Sequence, residues 1–148
     1  MILDEVDKKL LSLLTQNARQ QYADLGKALH LSAPAVHARV KRLEKEGVIE
    51  NFTIKIRPEA ANKSVCAFVR LSVGSSSCED SAKFLEKFQE IEECHSVAGE
   101  DCILLKVRVA TPTKLDELLQ KIRKVPGFQR SLTTVVLRSH YERGTQLD

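Results

Sequence analysis

The segment YADLGKALHLSAPAVHARVKRLEKEG, residues 22–47, decides the fold. Leu25, Ala28 and Leu29 recur at helical spacing over Tyr22–Leu29, the run breaks at His30-Leu31, and a second apolar stripe of Val36, Val40 and Leu43 follows. Ser32 is a natural N-cap for that second helix, which tolerates Pro34 in its first turn because the N–H groups there lack intrahelical acceptors. Gly47 is expected to stop it after Lys45 as a C-cap. Two helices separated by so short a break make a helix-turn-helix, the unit whose second helix enters a DNA major groove. An αα-hairpin of any small helical domain reads the same way, so the outer face of the second helix has to decide.

That face carries Pro34, Ala38, Lys41 and Lys45, flanked by His37 and Arg42, while Arg39 lies nearer the buried edge. A charged helix face is usually only a solvated one. Here small residues come first and cations last, which lets the backbone approach base edges while Lys41, Arg42 and Lys45 reach phosphates. The amides after Ser32 also attract a phosphate. The expected contact set on double-stranded DNA is therefore Ser32, Ala33, Pro34, Ala35, His37, Ala38, Arg39, Lys41, Arg42 and Lys45.

Upstream, Leu10, Leu13 and Leu14 predict a first helix ending near Asn17, with Asp4 and Asp7 as its N-cap and first-turn acids. Residues 1–50 form the expected helix-turn-helix domain. Downstream, Val48–Ile56 alternates and is rich in β-branched residues, which reads as a strand, and residues 57–64 interrupt it, so 51–64 is read as strand and linker. Residues 65–148 then show a strand at Val65–Val73, a Gly-Ser loop at 74–77, a helix Asp80–Phe88 burying Ala82, Leu85 and Phe88, and a strand near Ile91–Val97. A turn at 98–101, a strand Cys102–Val109, a helix Thr113–Lys124, a break at Pro126-Gly127 and a strand near Leu132–Leu137 complete it. The order is β-α-β-β-α-β, so the fold class is α+β: a winged-helix-like helix-turn-helix followed by a ferredoxin-like domain.

Composition narrows the class. At 43% hydrophobic and 29% charged, the 148 residues are those of a globular protein rather than a disordered one. No apolar run approaches the roughly 20 residues of a membrane helix, and the N-terminus carries acids where a signal peptide carries bases, so a cytoplasmic protein with no membrane partner is expected. The cysteines Cys66, Cys78, Cys94 and Cys102 form no CxxC pair; reduced thiols are expected, with no metal, cofactor or catalytic residue. Residues 1–64 hold 11 Lys/Arg against 8 Asp/Glu and residues 65–148 hold 12 against 12, so the net charge of +3 sits wholly in the N-terminal part. That is where a polyanion would bind.

The residues resemble the Lrp/AsnC, or feast/famine, family of regulators over nearly the full length. The DNA-binding resemblance lies in Leu3-Asp4-x-x-Asp7 and in Leu31-Ser32-x-x-x-Val36-x-x-Arg39-Val40-x-x-Leu43-Glu44-x-x-Gly47-x-Ile49. The C-terminal resemblance lies in Glu93-Cys94-His95-x-Val97-x-Gly99, Leu104-Leu105-Lys106, Val125-Pro126-Gly127 and Thr133-Thr134-Val135-Val136. It implies a transcription regulator, a homodimer formed through C-terminal sheets that assembles into tetramers or octamers, and a small-molecule effector, commonly an amino acid, bound between dimers. The implied effector residues are Gly99, Glu100, Asp101, Cys102, Thr134, Val135 and Val136. Two positions depart from the family pattern: His30 replaces the usual turn glycine and has to accept a left-handed backbone or shift the turn, and Cys102 stands where an aspartate is common, leaving Glu100 or Asp101 to supply a carboxylate. An architectural DNA-binding protein without effector and a tetrapyrrole decarboxylase of related fold are the alternatives.

Overall fold

The computed structural model describes residues 2–74 and 78–145 and divides into two compact units, one reaching Lys55 and taking in the C-terminal stretch from Glu142, the other Ile56–Tyr141. The first unit holds α1 (Glu5–Gln16), α2 (Tyr22–Leu29) and α3 (Ala33–Lys45). Asp4 caps α1 by accepting from the Asp7 N–H at 2.7 Å, and Asp7 reaches back to the Asp4 N–H at 3.3 Å, a reciprocal capping box. Leu10, Leu11, Leu14, Leu25, Leu29, Val36, Val40 and Leu43 fill the core between the helices. Ala28 is exposed, contrary to expectation, and Gly26 takes the buried place on α2.

The turn between α2 and α3 explains that exchange. His30 adopts the left-handed conformation (φ 56, ψ 42), so the turn does not shift, and the Leu31 N–H donates to the Gly26 carbonyl at 2.8 Å. This folds the chain so tightly over α2 that a Cβ on Gly26 would lie 2.5 Å from the Leu31 carbonyl oxygen. The glycine the turn requires is thus four residues upstream of His30. At the far end, Ser32 caps α3 by accepting from the Ala35 N–H, and Gly47 (φ 71) follows the C-cap Glu46. The Val48 N–H donates to Leu43 and the Gly47 N–H to Glu44, which is a Schellman closure.

No strand forms over Val48–Ile56. Val48 and Ile49 turn back onto α3, both N–H groups donating to the Leu43 carbonyl, and Phe52, Ile54 and Ile56 stand exposed at 45%, 77% and 58%. Period-two alternation marks a strand only where a neighbour supplies the ladder, and none of the described residues supplies one here.

The second unit contains β1 (Val65–Val73), α4 (Cys78–Leu85), β2 (Ile91–Ser96), β3 (Ile103–Val109), α5 (Pro112–Ile122) and β4 (Phe128–Val135). They build one antiparallel four-stranded sheet in the order β2-β3-β1-β4, the split β-α-β-β-α-β arrangement. Alternation along β1 and β3 sends Ala67, Val69, Leu71, Ile103, Leu105, Val107 and Val109 to one dry face, where Leu85 of α4 and Leu115, Leu118 and Ile122 of α5 pack. Cys66, Phe68, Arg70, Leu104, Lys106 and Arg108 take the other face, where Cys66 and Arg108 are buried and Phe68 and Arg70 are exposed.

Two elements differ from the sequence expectation. The helix α4 begins at Cys78 and ends at Leu85 rather than spanning 80–88, with Ser81 and Leu85 buried and Ala82 and Phe88 only partly so. Strand β4 begins at Phe128, immediately after the left-handed Gly127, and ends at Val135 rather than starting at Leu132. Its first residues, Gln129, Arg130 and Ser131, are polar because an edge strand buries little, so they gave no apolar signal. No helix among the described residues is long and apolar enough to cross a membrane.

The close approach at Gly26 makes a direct test. Gly26→Ala should destabilise the first unit by about 1–3 kcal/mol, because a backbone carbonyl cannot swing aside as a side chain can. Thermal melting followed by circular dichroism checks this; an unchanged or raised melting temperature overturns it.

Candidate nucleic-acid and effector surfaces

On α3 the side chains divide into two groups. Pro34, His37, Ala38, Lys41 and Lys45 are exposed, along with the cap Ser32, whereas Ala33 and Ala35 are half-buried. The His37 ring stacks obliquely on Tyr22, 5.5 Å between centroids. Lys41 reaches back to Glu44 at 2.9 Å, and that hydrogen bond holds its ammonium above the ordinary lysine range.

The arginines point elsewhere. Arg39 donates to Asp4 and to Asp7, both at 2.7 Å, and Arg42 Nη2 donates to both carboxylate oxygens of Asp7 at 2.7 and 2.6 Å. The Asp7 side chain is 1% exposed, so its charge is carried inside the domain and is matched by these guanidinium groups and by the Asp4 N–H. Arg42, expected to reach phosphate, holds Asp7 of α1 while its side chain stays 45% exposed. Sequence reading took Asp4 and Asp7 only as helix caps. The detectable signal was the i, i+3 spacing of Arg39 and Arg42 on one side of α3, which sets two cations beside the stripe that faces α1.

In the α/β unit, the turn before β3 is laid over the end of β1. The Cys102 N–H donates to the Leu71 carbonyl at 3.0 Å, and the Cys102 thiol donates to the same oxygen at 3.6 Å and accepts from the Val73 N–H at 3.5 Å. Asp101 is drawn onto β4 and β1: Arg130 donates to its Oδ1 at 3.1 and 3.3 Å, and Arg70 lies 3.9 Å from Oδ2. The Asp101 side chain is 10% exposed and that of Glu100 is 91% exposed, while a Cβ on Gly99 would meet nothing within 4 Å.

The remaining expected effector residues lie at the other end of β4. Arg130 pairs with Ser72 and Thr134 with Phe68. That offset of four residues is about 13 Å along a strand. Thr134 and Val135 are exposed, and the Val136 N–H donates to the Cys66 carbonyl at 2.9 Å. One chain thus brings Gly99, Glu100, Asp101 and Cys102 together and leaves Thr134, Val135 and Val136 apart from them.

Residues 3–44 match the AsnC-type helix-turn-helix domain and residues 66–146 match the Lrp/AsnC ligand binding domain. The chain belongs to the Lrp/AsnC family. As a member of it, the protein is a helix-turn-helix transcription regulator. It is 37% identical to the HTH-type transcriptional regulator LrpA of Mycobacterium tuberculosis over 94% of this chain and 93% of that protein. Among solved structures, it resembles the M. tuberculosis feast or famine regulatory protein complexed with L-methionine, with a TM-score of 0.89, 37% identity, and coverage of 95% of this chain and 96% of that one. A transcriptional regulator of Neisseria meningitidis in complex with L-Met matches with a TM-score of 0.90 at 27% identity, over 99% of this chain and 97% of that one.

Two measurements probe the clamp in this Lrp/AsnC protein. Asp7→Ala should destabilise the helix-turn-helix by about 3 kcal/mol, the low end for breaking a buried ion pair because both arginines still reach water. Lys45→Ala should stay within about 0.5 kcal/mol. Equal denaturation midpoints for the two variants would refute the assignment. Arg39, followed by the Asp7 N–H, holds the Asp4 carboxyl below the ordinary aspartate range. The stabilisation from a depressed acid is complete above its unfolded pKa and is lost as pH falls through the lower folded value. Melting temperature should therefore fall more steeply with acidification in the natural protein than in Asp4→Asn, and only below the ordinary aspartate range; parallel curves would exclude the Asp4 contribution.

Proposed function

We propose that the chain is a homo-oligomeric, sequence-specific Lrp/AsnC regulator that grips DNA with the outer face of α3 and responds to an amino acid bound at the turn 99–102. The observation that carries the DNA reading is the division on α3. Arg39 and Arg42 are both engaged by Asp7, Arg42 with its side chain still 45% exposed, beside a surface of Pro34, Ala38 and His37 with Lys41 and Lys45 toward the end. Lys41 and Lys45 are the phosphate contacts. His37, and Ser32 if its cap rearranges, are the side chains able to bond base edges, so much of the selectivity comes from DNA shape. The same poverty of base-reading groups supports the second reading, an architectural protein indifferent to sequence.

Assembly is supported by exposed apolar side chains in two places: Phe52, Ile54 and Ile56 after α3, and Phe68 and Leu132 on the sheet. A second copy supplies the missing ladder and cover, and further copies bring a Thr134–Val136 segment toward a Gly99–Cys102 turn. The amino-acid reading is supported by the match to a ligand binding domain and by the relatives solved with L-methionine.

Lys41→Ala with Lys45→Ala should weaken binding to every duplex and flatten the log–log salt dependence by about 1.8, from about 0.9 per lost phosphate contact. An unchanged slope removes this face from the interface. Competition with unrelated duplex separates the two readings, since an architectural protein loses its bound operator to it at equal concentration. Light scattering on the full chain should give a dimer or larger species; a monomer at micromolar concentration refutes the assembly. A thermal-shift screen of the twenty amino acids, L-methionine first, should find at least one that raises the melting temperature, and none doing so refutes the effector reading.

A further inference from the structure

Cysteine 102, the residue that departs from the family pattern in the effector turn, does not stand alone. Cys78, the first residue of α4, places its Sγ 3.8 Å from the Cys102 carbonyl oxygen. The Cys102 side chain lies close enough to raise the pKa of the Cys78 thiol. Both residues are half-buried, so a small reagent reaches them, and both are unbridged. They come from segments 24 positions apart, brought together because the backbone of residue 102 is pinned to β1 through Leu71 and its thiol is held against Leu71 and Val73. Cysteines without a CxxC spacing give no sequence signal for such a pair.

We propose that Cys78 and Cys102 are a disulfide-forming pair oxidised by hydrogen peroxide, joining the first residue of α4 to the effector turn. One thiolate attacks peroxide, the O–O bond breaks, and a sulfenic acid forms as hydroxide leaves. The second thiolate attacks that sulfur, the S–S bond forms, the S–O bond breaks, and a second hydroxide leaves. The two sulfurs together give up two electrons, the peroxide takes them, and the two hydroxides take up the two protons the thiols lost on ionising, giving two waters. The bond itself depends only on the position of the two thiols; its consequence, an effector turn that can no longer adjust around a ligand, rests on the effector reading above.

The Cys78 thiol is held above the ordinary cysteine range, first by the neighbouring Cys102 side chain and then by burial. Because the thiolate is the nucleophile, oxidation is slow at neutral pH and quickens by roughly tenfold per pH unit until that raised value is passed. The test treats the full chain with hydrogen peroxide, counts thiols with a chromogenic disulfide and maps non-reduced tryptic peptides by mass spectrometry. Free thiols should fall from the four of the sequence to two, with Cys78 and Cys102 in one cross-linked peptide that dithiothreitol releases, and the rate should rise with pH. Cys78→Ser should abolish the cross-link while leaving Cys66 and Cys94 as free as before. Cross-links through Cys94 or between chains, or stepwise oxidation of single cysteines with no Cys78–Cys102 peptide, would overturn the proposal. The amino-acid screen run on the reduced protein reports on the effector reading separately, so failure of one is not mistaken for failure of the other.

Discussion

The helix-turn-helix depends on a buried negative charge. An ionised carboxylate removed from water is costly unless its oxygens are fully hydrogen-bonded, and Asp7 meets that condition with Arg39, Arg42 and the Asp4 N–H. The consequence is geometric. Apolar contacts among Leu10, Leu14, Val36, Val40 and Leu43 fix the distance between α1 and α3 but allow rotation and slippage, whereas charge-assisted hydrogen bonds from Arg39 and Arg42 to Asp7 have a direction. Asp7 therefore sets which face of α3 looks outward. It also separates the cations by partner: the planar guanidinium groups of Arg39 and Arg42 bond Asp7, and the ammonium groups of Lys41 and Lys45 do not.

The α/β unit has the opposite problem, a sheet with one face in excess. Helices α4 and α5 cover the face built from Ala67, Val69, Leu71, Leu105 and Val107, and the other is left with Phe68 and Leu132 among paired charges, Glu92 with Arg108 and Glu93 with Lys106. Those two side chains, with Phe52, Ile54 and Ile56, are the exposed apolar groups on which the proposed assembly rests.

What could be read from sequence follows the range of the forces involved. The helices α1 to α3 were legible to within a residue or two because their signals are local: an aspartate cap, Ser32, a Schellman glycine and apolar stripes at helical spacing. Strands β1 and β3 were legible because both alternate against a dry face. The start of β4 was not, since its edge position asks nothing of Gln129 or Arg130, and the Val48–Ile56 strand was overcalled because alternation does not reveal whether a partner exists. The ion pairs of Asp7 were signalled only by the i, i+3 spacing of Arg39 and Arg42, with no sign of their partner, and the requirement for glycine at position 26 was invisible for the same reason. Both are contacts between segments whose approach the sequence does not state: Asp7 meets Arg42 35 positions away, and Gly26 meets a carbonyl across a turn whose bend is made by His30.

The same distinction bears on the proposed effector turn. At position 102, where the resemblance leads an aspartate to be expected, this chain has a cysteine whose thiol is engaged with Leu71 and Val73 inside the fold. Asp101 is no direct substitute, because Arg130 and Arg70 already satisfy its carboxylate, so an ammonium ion would have to displace a guanidinium to use it. Glu100 is different: it is nearly fully exposed, with Arg130 only 3.6 Å away, and an acid and a base so placed match the ammonium and carboxylate of an amino acid together. Exposed ion pairs are individually weak, so a site made of Glu100 and Arg130 in one chain would bind poorly. Its strength has to come from exclusion of water by a neighbouring subunit, and that requirement is what would let a ligand shift the assembly: it binds well only where the neighbour is present, and by that difference it favours the associated state.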